Sequence, residues 1–146
     1  MQRVLVTGAT GFIGKYTLPL LLGKGFEVHA VSSKPIKPDN NYSWHQADLL
    51  KTDQITDLVA QVSPSHLLHF AWYAEPKKYW TSPINLQWLQ SSISLLEAFK
   101  NNGGKRALFA GTCAEYEWKF SKYLENKTPL NPSTLYGVCK HSLQTI

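Results

Sequence analysis

Tyr136 and Lys140 stand four residues apart in the run Tyr136-Gly137-Val138-Cys139-Lys140. On a helix that spacing projects both side chains from one face. A phenol, with an ordinary pKa near 10, is a poor base at neutral pH, but an adjacent ammonium stabilises the phenolate and brings that value down. Such a pair moves a proton. Thr112 follows directly on an apolar block, Ala107 to Ala110, and its hydroxyl could hold a substrate oxygen beside the phenol. A tyrosine and a lysine at this spacing also occur by chance on amphipathic helices, so the chemistry depends on what the rest of the chain delivers to them.

The elements that would deliver it begin at the amino terminus. Val4-Leu5-Val6 is strand-like, glycines follow at positions 8, 11 and 14, and apolar periodicity then resumes with Ile13, Leu18, Leu21 and Leu22. That pattern reads as strand, tight turn and helix, with a first helical turn whose amides carry partial positive charge. An anionic diphosphate is the natural occupant. The spacing is G-x-x-G-x-x-G, in place of the commoner G-x-G-x-x-G.

The alternation continues along the chain. A helix over about 12 to 24, closed by Gly23 and Gly25, leads to a strand over 26 to 31 that ends at Ser32-Ser33-Lys34. Pro35, Pro38, Asp39, Asn40 and Asn41 mark a loop. The pattern then predicts a strand over 43 to 47, a helix over 52 to 62 and a buried strand over 66 to 71. An aromatic loop over 72 to 83 precedes a helix over 84 to 102 stopped by Gly103-Gly104, and a fifth strand covers 107 to 110. Residues 111 to 132 read as mostly irregular, before a last helix capped by Ser133 or Thr134 and still running at Ile146. Apolar strand blocks alternating with helices predict an α/β fold, a Rossmann-type doubly wound parallel sheet with helices on both faces. Ligands of such sheets sit at the carboxyl ends of the strands.

With 146 residues and 43% apolar content, one domain with a proper core is expected. No stretch approaches the ~18 apolar residues of a membrane span, and no signal-type leader precedes the first strand, so a cytoplasmic protein with no membrane partner is expected. Cys113 and Cys139 form no disulfide framework and have no partner at metal-ligand spacing. The net charge of +5 comes from scattered lysines without a basic, aromatic-interleaved stripe, which argues against nucleic acid and suits a phosphorylated small molecule. His69 reads as a packing or hydrogen-bonding strand residue, and Trp44, Trp72, Trp80, Trp88 and Trp118 individually as core or loop packing.

Taken in order, Thr7-Gly8-Ala9-Thr10-Gly11-Phe12-Ile13-Gly14, Asp48-Leu49, His69-Phe70-Ala71-Trp72, Asn85, Gly111-Thr112-Cys113-Ala114-Glu115-Tyr116 and Thr128 to Pro132 leading into Tyr136 and Lys140 resemble the extended short-chain dehydrogenase/reductase superfamily. The likeness is to its NAD(P)-dependent epimerase/dehydratase family, and it covers nearly the whole chain. It implies Gly8, Gly11 and Gly14 at a dinucleotide diphosphate, with Phe12 and Ile13 supplying amides and Asp48 with Leu49 at the adenine. It also implies Ala71 and Trp72 lining the cofactor and Thr112, Tyr136 and Lys140 as the catalytic set, Lys140 gripping the nicotinamide ribose as well. Tyr136 would exchange a hydroxyl proton while hydride passes between a sugar carbon and the nicotinamide.

Two departures refine that expectation. Members that use NAD often carry an acidic residue after the second strand; Ser32, Ser33 and Lys34 stand there, and hydroxyls with an ammonium favour the 2′-phosphate of NADP(H), with NAD(H) the other choice. Dehydratases of the family follow the catalytic threonine with Asp-Glu, whereas this chain has Cys113-Ala114. An epimerase or a reductase/dehydrogenase acting on a nucleotide sugar is therefore expected before a dehydratase. Family members are roughly twice this length, as cofactor-plus-substrate architectures are. The expectation is an incomplete NAD(P)-binding domain over 1–146, truncated after the catalytic helix, without the carboxyl-terminal substrate lobe. A silent dinucleotide-binding module is the competing reading. The fifth strand would form an open edge, so association, as a homodimer or beyond, is also expected.

Overall fold

Val4, Leu5 and Val6 are inaccessible to solvent, and their strand is the middle one of a five-stranded parallel sheet. The computed structural model describes residues 2–37 and 40–146; Pro38 and Asp39 of the expected loop lie outside the described residues. In chain order the elements are β1 (Arg3–Thr7), α1 (Phe12–Gly23), β2 (Glu27–Ser32), β3 (Ser43–Gln46), α2 (Thr52–Val62), β4 (His66–His69), α3 (Ile84–Asn101), β5 (Arg106–Phe109) and α4 (Leu135–Thr145). The sheet order is β3-β2-β1-β4-β5. This is the Rossmann-like doubly wound sheet that the sequence predicts, with the order reversing beside β1.

The chain forms two compact units, Met1–Ala71 with Ile93–Ala110, and Trp72–Ser92 with Gly111–Ile146. The first holds the sheet. Leu5 pairs with His29 on one side and Leu67 on the other, and Leu67 pairs with Ala107, so the register runs straight across the strands. Strand alternation divides the core. Val4, Val6, Val28 and Ala30 cluster with Ala9 and Leu18, the last from α1. Leu5 and Leu67 point to the opposite face. Each fully buried aliphatic side chain of this kind contributes about 1.5–3 kcal/mol.

α2 covers the residues its periodicity predicts, because Ile55, Leu58, Val59 and Val62 recur at helical spacing and all are buried. It stops at Ser63, which adopts a left-handed φ of 44° just before Pro64. β4 ends at His69, two residues earlier than expected. Its ladder is broken because the Ala71 amide takes the Thr7 hydroxyl (3.3 Å) in place of a strand carbonyl. In the second unit the segment expected to be irregular contains a short 3-10 turn at Cys113–Glu115 and an antiparallel bridge between Tyr116 and Leu130.

Candidate active site

All five strands are parallel, so the residues after β1, β2, β3 and β4 emerge on one edge of the sheet in the first unit. After β1 the chain turns through Gly8, whose φ of +65° disfavours any side chain. A Cβ there would lie 2.7 Å from the Ala71 nitrogen, and one on Gly14 would lie within 2.3 Å of the Gly8 carbonyl oxygen. The Gly11 amide donates to that same carbonyl at 3.0 Å. The glycines therefore let the turn fold flat against the start of α1. This helix has Gly11 as its N-cap, no side-chain cap bond and no acidic residue in its first turn. Its leading amides, Phe12 and Ile13 among them, have no carbonyl within the helix to bind, and the Phe12 side chain stands 78% exposed. This glycine cradle with a positive helix end and no carboxylate fits a dinucleotide diphosphate.

The neighbouring strand ends complete the edge. The Thr7 hydroxyl lies 2.7 Å from His69 Nδ1 and accepts from the Ala71 amide, so His69 is a packed, hydrogen-bonded residue, also edge-on to Phe109. After β2, Ser32 is buried and its hydroxyl accepts the Lys34 amide at 3.1 Å, while Ser33 and Lys34 are exposed. After β3, the Asp48 carboxylate accepts the Leu50 amide at 3.1 Å and its own amide donates to Gln54 Oε1 at 2.7 Å; Leu49 is buried.

The second unit brings Thr112, Tyr136, Lys140 and Trp72 together. Thr112 caps the 3-10 turn: its Oγ1 accepts the Ala114 amide at 3.2 Å, and its own amide donates to Glu115 Oε1 at 2.7 Å. This reciprocal capping box fixes both ends of the turn. α4 begins at an N-cap, Thr134, whose hydroxyl accepts the Gly137 amide at 3.1 Å. Gly137 lets the helix press onto the turn, since a Cβ there would lie 2.4 Å from the Ala114 carbonyl oxygen. The Thr112 hydroxyl is thereby placed beside the Tyr136 phenol, where it favours the phenolate.

Aromatic rings enclose that phenol. Tyr79, Trp80 and Trp72 meet Tyr136 edge-on, with centroids 4.9, 5.8 and 6.3 Å away. Asn85, fully buried, pins them: it accepts from Trp72 Nε1 at 2.8 Å and donates to the Tyr79 and Ser82 carbonyls at 2.7 and 2.8 Å. Burial pushes the Tyr136 phenol above its usual value; the Thr112 hydrogen bond opposes this, and Tyr79, Glu115 and Cys113 add to it. The expected lowering by Lys140 is not what this geometry gives. The Lys140 ammonium lies over the Trp72 ring, 4.5 Å from its centroid, and desolvation outweighs any help to the phenolate. Lys140 is itself 6% exposed, and burial brings its ammonium down to about 8 against the opposing pull of Glu115.

Sequence reasoning passed over two features. Glu115, present in the sequence analysis only as part of the run Gly111 to Tyr116, is the buried partner of Thr112; its signal is the T-x-x-E spacing. The tryptophans were read singly, yet Trp72 and Trp80 form the wall of Tyr136, and Trp118 continues it edge-on to Trp80 at 5.3 Å. A cavity of about 340 Å³ opens beside Thr112, lined also by Cys113, Glu115, Tyr116 and Leu130. Both cysteines are free, and among the described residues no cluster of His, Cys, Asp or Glu could hold a metal ion. No described helix is long and apolar enough to cross a membrane.

Residues 4–146 match the model of the NAD dependent epimerase/dehydratase family. The dTDP-6-deoxy-L-talose 4-dehydrogenase (NAD(+)) of Aggregatibacter actinomycetemcomitans is 28% identical over 98% of this chain and 53% of its own length. The UDP-Glc/GlcNAc 4-epimerase of Campylobacter jejuni shares the fold with a TM-score of 0.87 at 19% identity, over 99% of this chain and 47% of that one. The UDP-glucose 4-epimerase of Bifidobacterium longum, solved with NAD+ and UDP, has a TM-score of 0.81 at 25% identity, over 99% of this chain and 47% of that one. The chain thus spans about half the length of the relatives it matches.

Proposed function

This chain belongs to the NAD dependent epimerase/dehydratase family, and we propose that it carries the dinucleotide site and the proton-transfer group of an epimerase or reductase/dehydrogenase acting on a nucleotide sugar. The observation that carries this reading is that α4 presses onto the Thr112 turn through Gly137, with Tyr136 and, one turn along the same helix, Lys140 beside it. The amides of Phe12 and Ile13 at the glycine cradle would hold a nicotinamide dinucleotide, which would supply or accept hydride.

The chain's own residues handle the proton. Burial keeps Tyr136 protonated at neutral pH, so it is poised to donate to a carbonyl oxygen that is becoming a hydroxyl. The phenolate left behind accepts the Thr112 hydrogen bond, and a protonated Lys140 offsets its charge. In the reverse direction the same groups draw the proton from a carbinol hydroxyl. The Trp72, Tyr79 and Trp80 rings pack on Tyr136 and half-bury it, and the lower local dielectric strengthens these interactions. Asp48 and Leu49 would meet the adenine, and Ala71 and Trp72 the nicotinamide ribose. At the adenosine ribose, the exposed Lys34 with Ser32 and Ser33, and no carboxylate among them, favours NADP(H). NAD(H) is the alternative that the relatives' names suggest for this chain.

The test is NADPH- and NADH-dependent reduction of a panel of 4-keto sugar nucleotides, followed at 340 nm, by the wild-type chain and Tyr136→Phe. Turnover that falls by about 10²-fold or more in Tyr136→Phe supports the proposal. Dinucleotide binding without turnover would instead favour a silent binding module.

A further inference from the structure

We infer that Glu115 is a positioning residue: it holds the Thr112 backbone in its capped turn and so keeps the threonine hydroxyl beside Tyr136. The inference deepens the proposed function and rests on it only for its catalytic meaning. Glu115 is 4% exposed, unusual for a carboxylate without a full ion pair. One oxygen accepts the Thr112 amide at 2.7 Å, and the other lies 4.0 Å from His141 Nδ1 on α4.

The hydrogen-bond inventory of Thr112 shows what the turn holds in place. A threonine hydroxyl has one proton and two lone pairs. With one lone pair accepting the Ala114 amide at 3.2 Å, the proton and the other lone pair are left to face the phenol of Tyr136. That arrangement needs the turn closed, and Glu115 closes it from the other end. Gly111 leaves the carboxylate room, since a Cβ there would stand 3.3 Å from Glu115 Oε1. The charge has a second effect. It favours the ammonium of Lys140 and disfavours the phenolate of Tyr136, so it keeps the proton-donating state of both.

The two functions separate in two substitutions. Glu115→Gln keeps an acceptor for the Thr112 amide and removes the charge; Glu115→Ala removes both. With tyrosine labelled at ¹³Cζ and the Tyr136 signal assigned through Tyr136→Phe, the expected result at pH 7 is that Glu115→Ala shifts this signal in the direction and by the amount that Thr112→Val does. Glu115→Gln leaves it near its wild-type position, and in a Thr112→Val background the two Glu115 variants coincide. A Tyr136 signal unmoved by Glu115→Ala, or moved equally by Glu115→Gln, overturns the inference. Should Glu115→Ala not fold, Glu115→Met, which keeps the bulk of the side chain and lacks the carboxylate acceptor, is read against the same two outcomes. These signals are read without dinucleotide or sugar. A chain that passes and shows no turnover therefore refutes the proposed activity, not the role of Glu115.

Discussion

Replacing Lys140 by methionine should stabilise the protein at neutral pH, and to a degree that depends on pH. Burial lowers the Lys140 ammonium from 10.5 to about 8, a difference near 2.5 pH units. At 1.36 kcal/mol per unit, holding that charge in the folded protein costs about 3 kcal/mol. The cost is full below pH 8, where folded and unfolded chains both carry the proton. It fades as pH rises from 8 toward 10.5, because the folded lysine releases its proton first and the unfolded state then binds more protons. By pH 9.5 about 1.5 kcal/mol remains. Methionine keeps the apolar stem and avoids the desolvation, but loses the cation–π contact with Trp72, which offsets about 1 kcal/mol. Lys140→Met should therefore gain about 2 kcal/mol at pH 6.5, with the advantage over wild type shrinking by about 1.5 kcal/mol at pH 9.5. Denaturant unfolding followed by tryptophan fluorescence measures this directly, since Trp72, Trp80, Trp88 and Trp118 all lie in the unit that holds Lys140. A variant less stable than wild type at pH 6.5, or a pH-independent difference, would refute the reasoning.

Other parts of the molecule give sharper local tests. His45 Nε2 lies 2.9 Å from His29 Nδ1, and His29 Nε2 lies 3.0 Å from Glu27 Oε1. Burial and then His29 lower the His45 pKa below 6.5, so the stability contributed by neutral His45 is present above pH 6.5 and lost as pH falls through its folded value. His45→Gln should flatten the acid limb of a stability–pH curve, and an unchanged limb would contradict this. Asn85→Ala leaves the Tyr79 carbonyl and the Trp72 indole nitrogen without this partner and takes one of two donors from the Ser82 carbonyl, and should cost about 2–4 kcal/mol, read as a lower denaturant midpoint. Leu108, 53% exposed on the edge strand β5, is the place to look for self-association; Leu108→Lys should lower the sedimentation coefficient of any associated species, and a monodisperse wild-type monomer would show there is none.

The fold was legible wherever local pattern and tertiary demand coincide. α2 has four apolar residues at helical spacing, and all four are buried, so its ends matched. The glycine turn was legible because Gly8 and Gly14 stand where a side chain would strike backbone. Strand ends were less legible, because hydrogen bonds that no propensity encodes set them: β4 stops where the Thr7 hydroxyl captures the Ala71 amide. The site divides in the same way. Tyr136 and Lys140 share a helix, so four-residue spacing revealed them. The electrostatics did not follow from that spacing, because the dominant influence on both groups is burial, and the rings packed on them, Trp72 on both and Tyr79 and Trp80 on Tyr136, stand over fifty positions away.

The central claim, a dinucleotide site built on the Gly8–Gly14 turn, is tested most directly by calorimetric titration of the chain with NADPH and NADH in parallel, for wild type, Lys34→Ala and Gly14→Ala. The account predicts that wild type binds, more tightly to NADPH, that Lys34→Ala weakens NADPH selectively, and that Gly14→Ala, whose Cβ would strike the Gly8 carbonyl, binds neither. Heat of binding from neither dinucleotide with the wild-type chain would contradict it.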